Sequence, residues 1–416
     1  MTATTTLAID FGTSNSAMAV IENGQLRRLP AEPGSQTLPT AVFFPADKGA
    51  MRIGAAAGTA LIEGEEGRYM RALKSVLGDP LLHESRLIGG KRRSIAEVIT
   101  AFLATLRSRA EAATGQPLRR ALSGRPVHFH TRDAEKDAQA EADLRACYLA
   151  AGFDEVAFLF EPEAAALASH SLSQPGATGL IVDIGGGTSD FSVFRVESGQ
   201  LRILASHGIR LGGTDFDRAI SLDQVMPELG RGGTLRREFG SELLPVPAAI
   251  YADLATWARI PLLYSPETRR KVDAMLRLAT DRRALERLAT VLRDELGHDI
   301  AFAVERGKIA ANAGAADAAI ALGVIETGLQ VPLSPTEMAA ALARFHDDLH
   351  GAAAETLTLA GIAAEQIGSI ILVGGSSLMQ LVPETMRALC PGAAVHMSEA
   401  FTAVVDGLAL ATAEGR

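Results

Sequence analysis

Two stretches decide the fold: Leu180–Val196, LIVDIGGGTSDFSVFRV, and Leu7–Ile21, LAIDFGTSNSAMAVI. Each is an apolar run ending in Asp, one more apolar residue, a turn of Gly with Thr and Ser, and a second apolar run. Two short apolar runs around a small-residue turn read as a β-hairpin. Asp10 corresponds to Asp183 and Gly12 to Gly185, so the chain carries an internal repeat. Its spacing is that of a whole lobe, not of a solenoid unit. The pattern predicts two related lobes, each opening with a hairpin whose turn can hold an anion.

Composition agrees with two lobes. A chain of 416 residues is too long for one ordinary core. Apolar residues make up 47% and aromatics only 5%, which favours close-packed helices and tight loops. The net charge of −9 argues against broad binding to nucleic acid or anionic lipid, whose fields it would oppose. Cys147 and Cys390 stand far apart without CxxC spacing, so a reducing compartment is the simpler expectation. Met1–Leu7 has neither a basic nor an apolar leader region, and no run approaches a membrane span. The expected location is the cytoplasm.

Between and after the hairpins the chain reads as mixed α/β. Residues 94–114 have helical apolar spacing, with Ser94 as N-cap and Glu97 completing a capping box. Pro126–Phe129 reads as a short strand, Thr131–Ala151 as a helix stopped by Gly152, and Val156–Leu159 as a strand. Glu161–Ser169 reads as an Ala-rich helix with Pro162 in its first turn. Residues 227–247 read as an exposed loop; 248–260, 267–289 and 290–313 as helices; and 318–330 as strand candidates. Ser334 caps a helix expected to run to about Ala360. Ile370–Val373 is a buried strand, followed by helices over Leu378–Leu389 and from near Phe401 to Ala413. Ala164, Ala165, Ala166 and Ala168 predict a close crossing with the last helix, which carries Ala403, Gly407, Ala409 and Ala411.

The two turns suit a phosphate chain. Such a ligand needs backbone N–H donors and small residues that let the backbone approach. Gly12-Thr13-Ser14-Asn15 and Gly185-Gly186-Gly187-Thr188 both offer this. Asp10 and Asp183 end the strands that enter the turns, and Asp190 adds a third carboxylate. Carboxylates beside a polyphosphate make sense with Mg²⁺ held through its waters. Gly374-Gly375-Ser376, entered from a buried strand, suits close contact with a nucleoside.

Five segments in order carry a resemblance: DFGTS (10–14), EPEAAALA (161–168), DIGGGTSDFSV (183–193), GGTDFD (212–217) and LVGGSS (372–377). Together the set resembles the Hsp70 nucleotide-binding domain of the actin/hexokinase superfamily, over nearly the whole chain. It is most similar to the short YegD-type chaperone-like proteins. The resemblance implies a two-lobed actin-like α/β ATPase fold: a duplicated ribonuclease-H-like core with inserted subdomains and a central nucleotide cleft. Lobe I is then 1–172, with core 1–39 and 118–172 and an insert at 40–117. Lobe II is 173–416, with core 173–211 and 314–416 and an insert at 212–313.

It also implies roles. Asp10, Asp183 and Asp190 match metal-water ligands; Gly12, Thr13, Ser14 and Asn15 match the first phosphate loop, and Gly185, Gly186, Gly187 and Thr188 the second. Catalysis would rest on Lys74 (in ALKSVLG), Glu161, Asp183 and Thr188, and ATP/ADP with Mg²⁺ would be the cofactors. Gly212, Gly213 and Asp215, Glu305 and Lys308 (in VERGKIA), and Gly374, Gly375 and Ser376 match the nucleoside side. Three positions depart from the family pattern: Ile309 and Leu378 stand where basic residues are expected, and an acidic residue is replaced near Phe401. The phosphate and metal apparatus is intact, whereas the base pocket becomes more apolar.

The implied function is a slow Mg²⁺-dependent ATPase acting as a nucleotide-driven switch, with a co-chaperone or client protein as partner. The chain stops at Arg416 before any expected client-binding domain. The alternatives within the superfamily are a sugar-type small-molecule kinase and a filament-forming actin-like protein.

Overall fold

Alternation along the first strand sets the first sheet. In β1 (Thr6–Phe11), Leu7, Ile9 and Phe11 join one buried cluster, and Ala8, pointing the other way, joins another. In the computed structural model, which describes residues 5–47, 49–130, 133–168, 176–197, 200–237, 241–397 and 402–413, β1 lies inside a sheet of mixed direction. It runs antiparallel to β2 (Asn15–Glu22), which pairs with β3 (Gln25–Arg28) and with β4 (Thr37–Pro39). On its other side β1 runs parallel to β5 (Arg120–Arg125), and β5 parallel to β6 (Glu155–Phe160).

The second hairpin repeats this plan. β7 (Thr178–Ile184) is antiparallel to β8 (Ser189–Glu197), which pairs with β9 (Gln200–Ile209). β7 is also parallel to β10 (Ser369–Val373), and β10 to β11 (Ala394–Met397). The orders β3-β2-β1-β5-β6 and β9-β8-β7-β10-β11 match strand for strand. The sequence repeat is thus a structural duplication.

One face of the first sheet is covered by α1 (Ile95–Thr114) and α2 (Ala134–Ala150), through Phe102, Leu103, Leu106, Leu144 and Tyr148. Ser94 and Glu97 form the capping box expected for α1. Asp133 caps α2, which begins later than expected; Thr131 itself lies outside the described residues. Between the sheets lie α3 (Glu161–Ala168) and α4 (Ala403–Ala413), packed on one another. α3 follows β6 of the first sheet yet touches β7, β9 and β10 of the second, whereas α4 packs on β1, β2 and β5 of the first. Small residues make the crossing possible: a Cβ on Gly407 would collide with the carbonyl of Ala164. A bidentate pair ties α4 to β3, with Arg28 Nε and Nη2 donating to Asp406 at 2.8 and 2.6 Å.

These elements belong to one unit, Met1–Arg210 with Leu349–Leu378 and Val382–Arg416. The other unit is Leu211–Asp348 with Met379–Leu381 and is mostly helical. Among the described residues no helix is long and apolar enough to cross a membrane.

Several boundaries differ from the expectation. The strand expected at Pro126–Phe129 lies at Arg120–Arg125; there it has a partner on each side, whereas Pro126 lacks an N–H to pair. The loop expected at 227–247 contains a two-stranded ribbon, Thr234–Arg236 with Leu243–Pro245. The helical stretch after residue 266 breaks at Asp281, whose side chain accepts from the Ala284 N–H and starts a new helix. The helix from Ser334 ends at Leu342 and a second runs Phe345–Ala360. No Gly or Pro marks that break; it brings Phe345 onto Phe216, with ring centroids 5.3 Å apart. The helix expected from Leu378 begins at Leu381.

Candidate functional site

Register places the carboxylates. Asp10 shares the face of Ala8, and Asp183 that of Ile181; Ala8 and Ile181 both belong to the cluster packed around α3 and α4. Both aspartates therefore emerge into the same layer. Asp190 lies directly across from Asp183 in the β7–β8 ladder and joins it on that face. Glu161 opens α3 where β6 ends, and its side chain packs beside Gly124 of β5.

Lys74 comes from the short turn Leu73–Val76 and is buried, with its ammonium donating to Glu161. Burial alone would depress the Lys74 pKa, but Glu161, Asp10 and Asp183 outweigh it and hold the value above normal. The carboxylates shift the other way. Burial, with repulsion from Glu161, pushes Asp10 up to about 7 against the pull of Lys74. The same two causes push Asp190 up to about 7, opposed by the Thr188 hydroxyl and Lys74. Asp183 rises well above its usual value through burial and the charges of Glu161, Asp190 and Asp10. Four carboxylates thus face one ammonium and are short of positive charge.

The glycine turns stand beside this group. Gly12 N–H donates to Asn15 O at 3.1 Å and Gly185 N–H to Thr188 O at 3.0 Å, so the two turns close identically. A Cβ on Gly12 would strike the Asn15 carbonyl, and one on Gly186 would strike the Ser14 hydroxyl. The second of these shows that the turns touch one another. Ser14, Gly187 and Thr188 are exposed at this edge. Two residues missed in the sequence brace the first turn: Thr40 N–H donates to Ser14 O at 2.8 Å, and the Thr40 and Ser16 hydroxyls lie 2.8 Å apart. The only sequence signal was two hydroxyl residues, Ser16 on β2 and Thr40 just past β4, which their separation along the chain concealed.

Gly374 has a structural duty at the same place. Its φ is 81°, and a Cβ there would press on the Ile184 carbonyl and the Asp183 carboxylate. Gly375 and Ser376 continue from it in a 3-10 turn, which Ser377 closes by donating to Gly374 O.

A hard divalent cation fits this donor set. Among the described residues no three His, Cys, Asp or Glu side chains converge as direct ligands. Hydrated Mg²⁺ needs no such cage, because it keeps most of its waters and takes the rest of its shell from one or two carboxylates and phosphate oxygens.

The remaining predicted residues lie in the second unit. The Gly212 N–H is capped by Asp215 at 3.0 Å, opening the helix Gly213–Ile220. Lys308, on Gly297–Asn312, is buried and pairs with Asp217 at 2.7 Å, whereas Glu305 is exposed. Ile309 is exposed as well, and Phe401 lies outside the described residues.

The family model described as Hsp70 protein matches residues 6–230, more than half of the 416. The chain belongs to the Hsp70 protein family, and its fold is the α/β fold of the Hsp70/actin-like ATPases. The chain is 28% identical over 404 residues to the chaperone protein HscA homolog of Burkholderia pseudomallei strain 668, and equally to those of strains 1710b and K96243. Each match covers 91% of this chain and 53% of the relative, so the chain spans about half the length of the curated relatives it matches.

Proposed function

We propose that this chain binds Mg²⁺-ATP at the two glycine turns and hydrolyses it slowly as a nucleotide-driven switch. The observation that carries the reading is the convergence of Asp10, Asp183, Asp190 and Glu161 with Lys74 beside two touching turns of identical closure. The turns would cradle the β- and γ-phosphates through backbone N–H groups. When bound, the magnesium ion supplies positive charge to the phosphates, held through water by Asp10, Asp183 and Asp190. Lys74 and Glu161, already paired, orient the attacking water and hold the charge that develops beside it. Water oxygen bonds to the γ-phosphorus, the bond to the β–γ bridging oxygen breaks, and ADP and phosphate leave with the water proton. Positioning and charge neutralisation suffice for this reaction class.

The division into lobes 1–172 and 173–416 rests on the duplicated sheets. Gly212, Gly213, Asp215, Glu305, Lys308, Gly374, Gly375 and Ser376 are the nucleoside-side residues by family resemblance. A cytoplasmic location and a protein partner that reads the nucleotide state complete the proposal, in the manner of the shorter YegD-like chaperones. Calorimetry with ATP, ADP and GTP, with and without Mg²⁺, combined with ADP release, tests it. Mg²⁺-dependent ATP binding with slow turnover is expected; no nucleotide binding would refute it. Turnover stimulated by small alcohols would replace it with a kinase, and nucleotide-dependent pelleting with a filament protein.

A further inference from the structure

Lys74 reaches the carboxylate group from a segment that no sheet holds. It sits on Leu73–Val76, directly after Ala72, whose φ of 55° is a left-handed conformation that a residue with a Cβ adopts at a cost. Such strain persists only where surrounding contacts enforce it. The contacts appear just downstream, on α2.

Asp143 is buried on α2 and accepts three hydrogen bonds: from the Gly78 N–H at 3.0 Å, Gln139 Nε2 at 2.7 Å and His83 Nε2 at 3.1 Å. A buried carboxylate is costly unless it is well bonded. Its main-chain partner belongs to the Lys74 segment. Gly78 lies so tightly on the helix, with φ 75°, that a Cβ would collide with the Lys136 carbonyl. His130 Nε2 donates to Leu77 O at 2.8 Å, and the Lys136 ammonium meets Asp79 at 3.0 Å. The link back to Lys74 is short: Leu77 N–H donates to Lys74 O at 3.3 Å.

We propose that Asp143 is a positioning residue for Lys74, clamping Gly78 to α2 so that the ammonium is delivered to Glu161. The proposal rests on the ATPase reading for its kinetic consequence, but not for its structural one. Asp143 bonds Gly78, His83 and Gln139 and none of the glycine turns or their aspartates, so its loss should lower kcat and leave ATP binding to the glycine turns.

The test compares Asp143→Ala, Asp143→Asn and His130→Ala in the full chain. One readout is acylation of Lys74 by an amine reagent, followed by peptide mass spectrometry with exposed Lys271 as internal control. The other is kcat and KM for ATP at saturating Mg²⁺. Asp143→Ala should raise Lys74 acylation by about tenfold or more with Lys271 unchanged, because the clamp no longer closes the segment. It should lower kcat by about 100-fold, with KM within about threefold, as misplacement of a positioned group does. Asp143→Asn, which can still accept from Gly78, should recover most of both. If Asp143→Ala fails to fold, His130→Ala, which removes the neighbouring clamp, should move both readouts in the same direction by about tenfold. Folded variants with wild-type Lys74 protection and wild-type kcat overturn the proposal, as does a KM that rises in step with the fall in kcat. A wild-type chain with no turnover sinks the ATPase reading alone; Lys74 acylation then still decides the clamp.

Discussion

The two hairpins share a turn and differ in what stands across from the aspartate. In the first, Asp10 faces Ala17; in the second, Asp183 faces Asp190. Both turns carry hydroxyls, but the first is braced from outside by Thr40, whereas the second is richer in glycine and has Gly374 pressed behind Asp183. Duplication therefore copied the cradle, and divergence placed the extra negative charge on one side. A cation's water shell would lean on the second hairpin, and the first would serve mainly the phosphates.

Substituting the paired aspartates gives the largest expected effects. Asp183→Ala should reduce single-turnover ADP formation by about 1,000-fold and Asp10→Ala by about 100-fold, within the range seen when one preorganised electrostatic group is lost. Equal losses would erase the distinction between the hairpins. Chelation of Mg²⁺ comes next, with ATP affinity by calorimetry expected to fall by about 10–100-fold; an unchanged affinity would show that the carboxylates serve no cation.

The helix crossing between the sheets sharpens the comparison from the side of stability. Gly407→Val forces α4 away from Ala164, at about 1–3 kcal/mol for overpacking, read as a lower thermal midpoint. An unaltered midpoint would mean that the two halves are not held at this crossing. The smallest expected effects are at the turn hydroxyls. Thr188→Ala should lower turnover by less than about tenfold, and Ser14→Ala by less still, since losing one neutral hydrogen bond costs about 1 kcal/mol. Thr188 should matter more, because its hydroxyl bonds Asp190; the reverse order would undo the assignment of the second hairpin to the cation.

Much of the site was legible because it is local. The strand–turn–strand pattern identified both hairpins, and period two predicts that Asp10 follows Ala8 and Asp183 follows Ile181 onto one face. The Ala164–Ala166 run and Gly407 announced a close helix crossing, and Ser94 and Glu97 a capping box that formed as read. Boundaries were less legible where a single polar side chain decided them. Asp281 restarts a helix inside a continuous helical pattern, and β5 lies upstream of the expected strand because its neighbours there supply the ladder.

By itself the chain of residues determined the duplicated hairpins, the glycine turns and the acids that end their strands, since each depends only on near neighbours and steric permission. Tertiary structure alone decided which side chains meet. Thr40 bracing Ser14, Gly374 behind Asp183 and Asp143 holding Gly78 all join positions far apart in the chain. The physical reason is that a hydrogen bond or a missing Cβ leaves no periodic trace in sequence; its partner is chosen by packing.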